Sequence, residues 1–168
     1  MDIKALQKIS YGLYVVSSVK DGKLNGQIAN SIIQVTAEPA QLAVCLHKNN
    51  LTHEYISASK KLAISVISQE APLKFIGDFG FKSGRDIDKF SLHKFKPGIN
   101  DCPISLEYGL AFLEAEVVSQ SDVGTHTLFV CRITEGGILA EGEPMTYDYY
   151  HNVVKGKSPK NAPTAKAY

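Results

Sequence analysis

Short apolar stretches separated by turn residues run along most of the chain, and their spacing predicts mainly strands. Residues 12–19 are β-branched and aromatic, and an Asp-Gly turn after them predicts a hairpin whose second strand ends at Glu38-Pro39. Alternating or continuous apolar runs predict four more strands, at 41–47, 61–68, 108–121 and 126–139.

Helical spacing is confined to short segments. Residues 2–9 and 51–59 each place apolar residues on one stripe, and Pro72 opens a third helix. Residues 80–103 have no clear period, so this stretch is predicted to be a connection. Six or more strands with only short helices favour a mainly β fold, a closed antiparallel barrel, over a doubly wound sheet.

The end of the chain differs in composition from the rest. Residues 155–168 contain four lysines and two prolines, with no apolar period that would pack them on a core. The length of 168 residues and the hydrophobic fraction of 44% fit a single core. We therefore predict one domain over residues 1–154, followed by a Lys/Pro-rich tail or linker.

Composition narrows the class of protein further. Eighteen basic and seventeen acidic residues leave a net charge of +1, which offers no general field for nucleic acid or a membrane. No run approaches the roughly 20 apolar residues of a membrane span, and the first residues do not resemble a signal peptide. Three separated cysteines without a C-x-x-C pair indicate reduced thiols. We expect a soluble, cytoplasmic protein without a nucleic-acid or membrane partner.

Common catalytic and metal-binding motifs are missing from the sequence. It contains no G-x-G-x-x-G, no H-E-x-x-H and no G-x-S-x-G, and its five histidines show no metal-ligand spacing. A dinucleotide-binding α/β fold, a metal centre and a serine hydrolase therefore have no support, and we expect no metal.

Polar side chains interrupt the second hairpin strand at Gln27, Asn30 and Ser31, within a run that is otherwise apolar. One interpretation is a strand end or bulge, where such side chains satisfy local backbone groups. The other is a ligand site, which needs hydrogen-bonding groups beside a dry wall. The segment alone does not decide between the two.

Two further segments favour a ligand that carries a phosphate. A strand runs directly into a helix at Lys48, so a cation and free backbone N–H groups meet at a helix N-terminus; ordinary N-capping by Asn50 or Thr52 is the alternative. The later Gly- and Lys-containing loop supplies Gly84 for close backbone approach and Lys89 as a cation. A solvated charged loop has the same composition.

Four motifs occur in the order typical of one family. They are G-x-x-A-N-S after the hairpin turn, a strand ending in K-N-N-x-T-H-E, the loop S-G-R-D-x-D-K-F and the late strand G-T-H-T-L-F-V. With them the chain resembles, over nearly its whole length, the flavin reductase-like family of FMN-binding split barrels. Its tail is similar to that of the flavin domain of high-molecular-weight rubredoxins, without the four cysteines of a rubredoxin module. A free-standing relative resembling flavoredoxin is the alternative.

The resemblance implies an FMN-binding split β-barrel of antiparallel Greek-key type. It also implies a cofactor site formed by Gln27, Ile28, Ala29, Asn30, Ser31, Cys45, Leu46, His47, Lys48, Asn49, Asn50, Leu51, Thr52, Lys89 and Phe90. His126 matches a position near the nicotinamide side, and Tyr150 is expected to border the same pocket. A satisfied strand histidine and dimer packing of the tyrosine are the alternatives. No catalytic residue is expected, because the flavin carries the chemistry.

The implied activity is that of an NAD(P)H-dependent flavin reductase-like oxidoreductase. FMN would accept a hydride from NAD(P)H, and the electrons would pass to free flavin or to a small redox protein such as rubredoxin. Family members are commonly homodimers, so a homodimer is expected. Two alternatives stay open: an FMN electron carrier resembling flavoredoxin, and a flavin- or haem-binding barrel without turnover.

Overall fold

A tight turn at Asp21 and Gly22 begins the sheet. Both residues have positive φ, 50° and 73°, which is the conformation that a two-residue hairpin loop requires. The flanking strands pair from Lys20 with Lys23 to Tyr14 with Ala29, so the predicted hairpin is confirmed.

The computed structural model describes residues 2–165, and no helix in that range is long and apolar enough to cross a membrane. The elements in chain order are a 3-10 helix (Ile3–Lys8), β1 (Tyr14–Lys20), β2 (Lys23–Ala29), β3 (Ile32–Ala37), β4 (Ala40–His47), α1 (Leu51–Ser59), β5 (Lys61–Ile67), α2 (Leu73–Gly80), α3 (Lys89–Leu92), β6 (Phe95–Pro97), β7 (Pro103–Ser105), β8 (Gly109–Val123), β9 (His126–Ile138) and α4 (Tyr147–Asn152).

Seven of the strands form one antiparallel sheet in the order β2-β1-β5-β8-β9-β4-β3, and β6 and β7 pair separately. β2 and β3 are consecutive in the chain, yet they are the two ends of this order. The sheet curls so that Ala29 from β2 and Ile32 from β3 share one buried core. The result is a barrel that is open between β2 and β3, and the predicted mainly β, antiparallel split barrel is confirmed.

Strand β1 is covered on both of its faces. Val16 points into the barrel beside Ile64 and Phe129, while Val15 points outward beneath a second apolar layer. Side chains alternate between the two faces of a strand, so a strand buried on both sides carries successive apolar residues. This is the reason for the continuous apolar pattern in the first predicted strand.

The second layer is rich in aromatic residues. Helices α2, α3 and α4 supply half of the ten buried side chains that the structure describes in it, namely Phe75, Ile76, Phe79, Phe90 and Tyr150. Its aromatic rings meet edge to face or tilted, as in the contact between Phe79 and Phe90 with ring centroids 5.5 Å apart. The layer therefore supports the outer side of β1 and holds α2 and α3 against β2.

The prediction of one strand reaching Glu38-Pro39 is wrong. The chain breaks at Asn30 and Ser31, where it leaves one edge of the sheet and enters the other. The apolar run beyond the break is also not buried, since Ile33 and Val35 are 61% and 44% exposed. β3 is an edge strand with its outer face uncovered, so apolar spacing alone could not distinguish it from a buried strand.

The connection predicted over residues 80–103 contains helix α3 and strand β6, and strand β7 begins at its last residue. These elements are too short for a hydrophobic period, and long-range contacts stabilise them instead. The buried carboxylate of Glu114 accepts hydrogen bonds from the backbone N–H groups of Ile99, at 3.2 Å, and Asn100, at 2.9 Å. Sequence reasoning had no local signal for this contact.

All three cysteines are free thiols. Cys102 and Cys131 are fully buried, and burial raises the pKa of each thiol to about 12. Cys45 is half-buried at the end of β4, and burial raises its pKa as well. The expectation of reduced cysteines is confirmed.

Candidate functional site

A cleft opens at the split of the barrel. Its cavity volume is about 260 Å³, and its walls are the ends of β2 and β4, the start of α1, the loop after α2 and residues 157–163. Thirteen of the residues predicted from the sequence line it, namely Gln27, Ile28, Ala29, Asn30, Cys45, Leu46, His47, Asn49, Asn50, Leu51, Thr52, Lys89 and Tyr150.

One wall of the cleft is apolar. Ile28 and Ala29 come from β2, and Cys45 and Leu46 come from β4, on the other side of the split. The raised pKa of Cys45 keeps its thiol neutral at physiological pH, so this wall carries no charge. Such a surface suits a planar aromatic ligand.

A polar atom without a partner lies beside this wall. The side-chain oxygen Oε1 of Gln27 is buried and accepts no hydrogen bond from any residue in the range 2–165, while Nε2 makes a long contact of 3.5 Å with the carbonyl oxygen of Ile28. Buried amide oxygens in proteins nearly always have a donor. Gln27 therefore presents an acceptor to a ligand that carries an N–H group.

The N-terminus of α1 faces the same cleft. Asn50 is the N-cap residue, but its side chain makes no capping hydrogen bond; its Oδ1 accepts instead from Nδ2 of Asn161 at 2.8 Å. The hydroxyl of Thr52 is fully buried and accepts from Nδ2 of Asn25 at 2.8 Å. Neither side chain caps the helix in the ordinary way, so the first N–H groups of α1 remain available to an anion.

The loop after α2 closes the same end of the cleft. Gly84 approaches Asn25 so closely that a Cβ atom at this position would lie 1.9 Å from Asn25 Oδ1 and 3.1 Å from a methyl carbon of Leu51. A glycine is required because the loop must pass against β2 and α1 at once. Gly84 is predicted to allow close backbone approach to a ligand; the close approach seen here is to Asn25 and Leu51.

Lys89 brings a buried cation to the cleft. Its Nζ donates to the carbonyl oxygens of Gly26, at 2.8 Å, and Phe79, at 3.2 Å, and its side chain is only 4% exposed. Burial lowers the pKa of Lys89 to about 8, partly offset by the negative charge of Asp78. The ammonium is therefore mostly protonated at neutral pH and loses its proton in mildly alkaline solution.

Three of the predicted residues lie outside the lining for local reasons. Nζ of Lys48 forms an ion pair with Oδ2 of Asp122 at 2.6 Å, on the β8–β9 side of the strand. Ser31 donates its hydroxyl to Asn30 Oδ1 at 3.2 Å. Phe90 packs in the aromatic second layer. Side-chain direction, which spacing did not reveal, separates these residues from their neighbours in the chain.

The fourth residue, His126, does not line the cleft but contacts His47, which does. Its ring meets that of His47 edge to face, with centroids 4.8 Å apart, and its Nε2 donates to the carbonyl oxygen of Asn161 at 3.3 Å. The backbone N–H of Asn49 donates to Nδ1 of His47 at 3.1 Å. Burial and the nearby charge of His126 lower the pKa of His47, so His47 is a neutral ring at the cleft wall.

Sequence reasoning missed several lining residues. Asn25 and Tyr147 line the cleft, as do the loop residues 80–83, directly before Gly84, and the tail residues 157–163. Asn25 had a usable signal, because it lies two positions before Gln27 on the same strand and therefore on the same face. For the tail, residues 151–154 just before it are apolar enough to leave open that its first residues lie close to the site or help to cover it, with a mere linker as the alternative. The way it docks has no sequence signal, because it docks through hydrogen bonds and not through an apolar stripe. Residues 166–168, including the predicted tail lysine at 166, lie outside the described range.

Comparison with known proteins adds relatives to this geometry. The family described as "Flavin reductase like domain" matches residues 6–156. The sequence is 46% identical over 164 residues to a high molecular weight rubredoxin from Moorella thermoacetica, covering 98% of this chain and 72% of that protein. It is 44% identical over 162 residues to a ferric-chelate reductase (NAD(P)H) from Archaeoglobus fulgidus, covering 96% of each.

Solved structures show the same architecture. A flavoredoxin from Methanosarcina acetivorans superposes with a TM-score of 0.71 at 23% sequence identity, covering 80% of this chain and 74% of that chain. At this level of identity the likeness supports the fold alone. The open barrel described above is thus an architecture found in proteins of distant sequence.

The close approach at Gly84 leads to a stability prediction. Gly84→Ala should lower the free energy of unfolding by about 1–3 kcal/mol, because the new methyl group overlaps Asn25, which is itself held by Thr52. Gly77→Ala is the matched control, since a Cβ there meets no atom within 4 Å and alanine favours the α2 helix by up to about 1 kcal/mol. Urea unfolding measures both. Equal stability of the two variants would contradict the contact.

Proposed function

The chain belongs to the flavin reductase like family, and we propose that it is an NAD(P)H-dependent oxidoreductase that binds one FMN in the cleft. In this proposal NAD(P)H supplies a hydride, and the electrons pass on to free flavin or to a small redox protein. The proposal rests on how the donors, acceptors and apolar surfaces of the cleft match the parts of FMN.

The observation that carries the proposal is the unpartnered Gln27 Oε1 beside an apolar wall. An isoalloxazine ring has apolar faces and a polar edge with an N–H donor. Ile28 and Leu46 would lie against a face of the ring, while Gln27 would accept from its edge. Leaving such an acceptor buried and unpaired costs about 1–3 kcal/mol, so a ligand donor here has a clear energetic benefit.

The phosphate end of FMN fits the start of α1. The backbone N–H groups of Leu51 and Thr52 carry the positive end of the helix dipole, and the Lys89 ammonium lines the same cleft. Lys48 is a weaker candidate than its neighbours, because Asp122 already neutralises it at 2.6 Å. We therefore assign the phosphate to the helix terminus with Lys89 as its cation.

The chain's residues position the reactants and exclude water. When bound, the flavin supplies the hydride-accepting and electron-donating chemistry. The neutral Cys45 thiol and the neutral His47 ring add no charge beside it, consistent with a site that has no essential acid–base pair. A hydride donor has to stack on the flavin at roughly 3–3.5 Å. The nicotinamide therefore has to reach the face of the flavin that points away from the apolar wall.

We place the nicotinamide side near His126 and Tyr150. Tyr150 lines the cleft, and His126 stands edge to face with His47 at its rim. Both side chains form hydrogen bonds to backbone carbonyl oxygens of residues 157–161, so both contact the tail as well as the barrel. A dinucleotide entering from this side would meet the two rings before it met the apolar wall.

The electron acceptor is proposed from the relatives. The Moorella thermoacetica protein is named a high molecular weight rubredoxin, and this chain covers 72% of it. A rubredoxin or another small electron-transfer protein is therefore proposed as the acceptor beside free flavin. We also propose a cytoplasmic location, where NAD(P)H is available.

We propose that the protein is a homodimer, because apolar side chains are exposed on edge strand β3 and on the C-terminal part of β8. Ile33 is 61% exposed on edge strand β3, and Val118 and Val123 are about half exposed on β8. Ile33→Lys should shift the sedimentation-equilibrium mass from twice 18.3 kDa towards 18.3 kDa. Ile99→Lys, in an exposed loop, is the control and should leave the mass unchanged. A single-chain mass for the unaltered protein would contradict the proposal.

The activity itself is tested on protein loaded with FMN under anaerobic conditions. Addition of NADH or NADPH should bleach the flavin absorbance with one equivalent of nucleotide per FMN. A protein that binds FMN but is not bleached by either nucleotide would be an electron carrier, and one that takes up haem would be a different kind of barrel. Either result would overturn the reductase proposal.

Substitution of Gln27 separates a cofactor contact from a structural one. Gln27→Leu removes a buried acceptor that has no partner among residues 2–165, so the flavin-free protein should be as stable as before or more stable. Its FMN affinity should fall roughly five- to tenfold, because one hydrogen bond to the ring is lost. Fluorescence titration and urea unfolding provide the two readings. Unchanged affinity together with lost stability would make Gln27 a structural residue.

Lys89 predicts a pH dependence of FMN binding. Because its pKa is lowered to about 8, deprotonation above that pH removes the cation from the phosphate end. FMN affinity should therefore fall from pH 7 to pH 9, by up to about tenfold per pH unit above 8. Lys89→Gln, which keeps a donor but does not titrate, should bind more weakly with a flat profile.

Stability of the flavin-free protein should respond to pH with the opposite sign. Between about pH 8 and the ordinary lysine value the unfolded chain binds more protons than the folded one, so the free energy of unfolding rises with pH through this window. Urea unfolding at several pH values measures this rise in the free energy of unfolding.

The FMN affinity of the unaltered protein decides whether Lys89 belongs to the phosphate site. An affinity that stays constant between pH 7 and pH 9 would contradict that assignment.

A further inference from the structure

The tail returns to the cleft through a fixed turn after α4. Lys155 has φ of +60°, and the Gly156 N–H donates to the carbonyl oxygen of Tyr150 at 2.9 Å. A Cβ atom at Gly156 would lie 2.0 Å from the Tyr150 ring, so the backbone passes directly against that ring. The Tyr150 hydroxyl in turn donates to the carbonyl oxygen of Lys157 at 3.0 Å. These contacts aim the following residues across the cleft.

The far end of the tail is held by residues of the barrel itself. Nδ2 of Asn30 donates to the Thr164 hydroxyl at 2.9 Å, and the Tyr147 hydroxyl contacts the same oxygen at 2.6 Å. Nδ2 of Asn161 donates to Asn50 Oδ1 at 2.8 Å. Residues 155–165, called the strap below, therefore bridge the cleft from its ring end to the start of α1.

The strap and the apolar wall border the same cavity. The cavity lies between the apolar wall of β2 and β4 and the strap residues 157–163. A planar ligand on the inner wall would thus have the strap on its other side, where a second planar reactant must stack. His126, at the proposed nicotinamide side, is itself bonded to the strap through Asn161.

The contacts that hold the strap are polar and replaceable. Its anchors are hydrogen bonds from neutral side chains, each worth a few-fold in an opening equilibrium. Pro159 and Pro163 restrict the backbone and add no N–H donors. A segment with little apolar burial belongs to the least stable part of a fold, so it can open without unfolding the barrel.

We propose that the strap closes the cleft against the dinucleotide and has to lift before NAD(P)H reaches the flavin. This proposal rests on the proposed function, since it concerns access to the same site. Residues 155–165 would then compete with NAD(P)H for the same part of the cleft, although their composition resembles that of a linker. In the closed form the inner wall is still available to FMN, and the apparent affinity for NAD(P)H is reduced by the fraction of molecules that are open.

The first test measures strap opening without flavin. Trypsin cleaves after lysine, and the side chains of Lys157 and Lys160 are exposed. The protease also needs an extended backbone around the cleaved bond, which we expect these residues to adopt only when the strap lifts. The double variant Asn161→Ala with Thr164→Val removes the hydrogen bonds to Asn50, Asn30 and Tyr147. It should be cleaved on the order of tenfold faster than the unaltered chain.

Asn152→Ala provides the matched control for this test. It also loses one asparagine hydrogen bond, to Asp148 on α4, but it lies outside the strap. Its cleavage rate after Lys157 and Lys160 should equal that of the unaltered chain. Equal cleavage of the double variant and this control would show that the strap is not held by these bonds, and would overturn the proposal.

The second test asks whether a dinucleotide and the strap exclude each other. NAD⁺ and NADP⁺ serve as unreactive probes on FMN-loaded protein, and a bound dinucleotide should accelerate cleavage of the strap in the unaltered chain. In anaerobic stopped-flow, the double variant should reach half-maximal flavin bleaching at roughly tenfold lower NAD(P)H, with an unchanged limiting rate and unchanged FMN affinity.

The outcomes separate the strap from the proposed function. Faster cleavage without a change in the NAD(P)H concentration dependence would overturn the gate, and so would a parallel loss of FMN affinity, which would make the strap part of the flavin site. If no nucleotide bleaches the flavin, the reductase proposal fails. The dinucleotide effect on cleavage then still decides whether the strap yields to such a ligand, and no acceleration would overturn it.

Discussion

The two free edges of the sheet determine where a ligand can bind. β2 and β3 are not paired with each other, so the barrel has a gap lined by backbone groups that need partners. The ammonium of Lys89 satisfies the carbonyl oxygen of Gly26 on the β2 edge and ties it to the end of α2. The α1 terminus and the Gly84 loop close the ends of the same gap. The cleft is therefore the unpaired seam of the barrel and not a separate addition to it.

The lysines that line the seam differ in burial. Lys89 is buried, whereas the other three lining lysines are exposed, namely Lys82, Lys157 and Lys160. Lys82 is also neutralised by an ion pair with Asp78 at 2.7 Å. Asp78, held by Lys74 and Lys82, has a pKa well below its usual range, and it balances Lys89 from beneath. A buried cation and the start of α1 in one cleft favour an anionic ligand, while the net charge of +1 gives no general attraction for polyanions.

How much of this could be predicted from the sequence depends on the range of each interaction. Helix α1 matches its prediction at both ends, 51–59, because helix signals are local. The polar residues around Asn30 were identifiable as unusual, but the break of the strand there depends on which sheet edge each half joins. Three features depend on contacts between residues far apart in the chain and so could not be predicted. They are the direction of the Lys48 side chain, the docking of the strap, and the short elements between residues 80 and 103, near which Glu114 bonds to Asn100.

The burial of the thiols bears on the durability of the protein. Reduced flavin passes electrons readily to oxygen, and the peroxide that results attacks thiolates and not protonated thiols. Cys102 and Cys131 are sealed in the core with pKa values of about 12, and Cys45 is kept protonated at the cleft wall. If the cleft holds flavin as proposed, Cys45 is the thiol beside an oxygen-reducing centre, and its raised pKa makes it slow to react with the peroxide formed there.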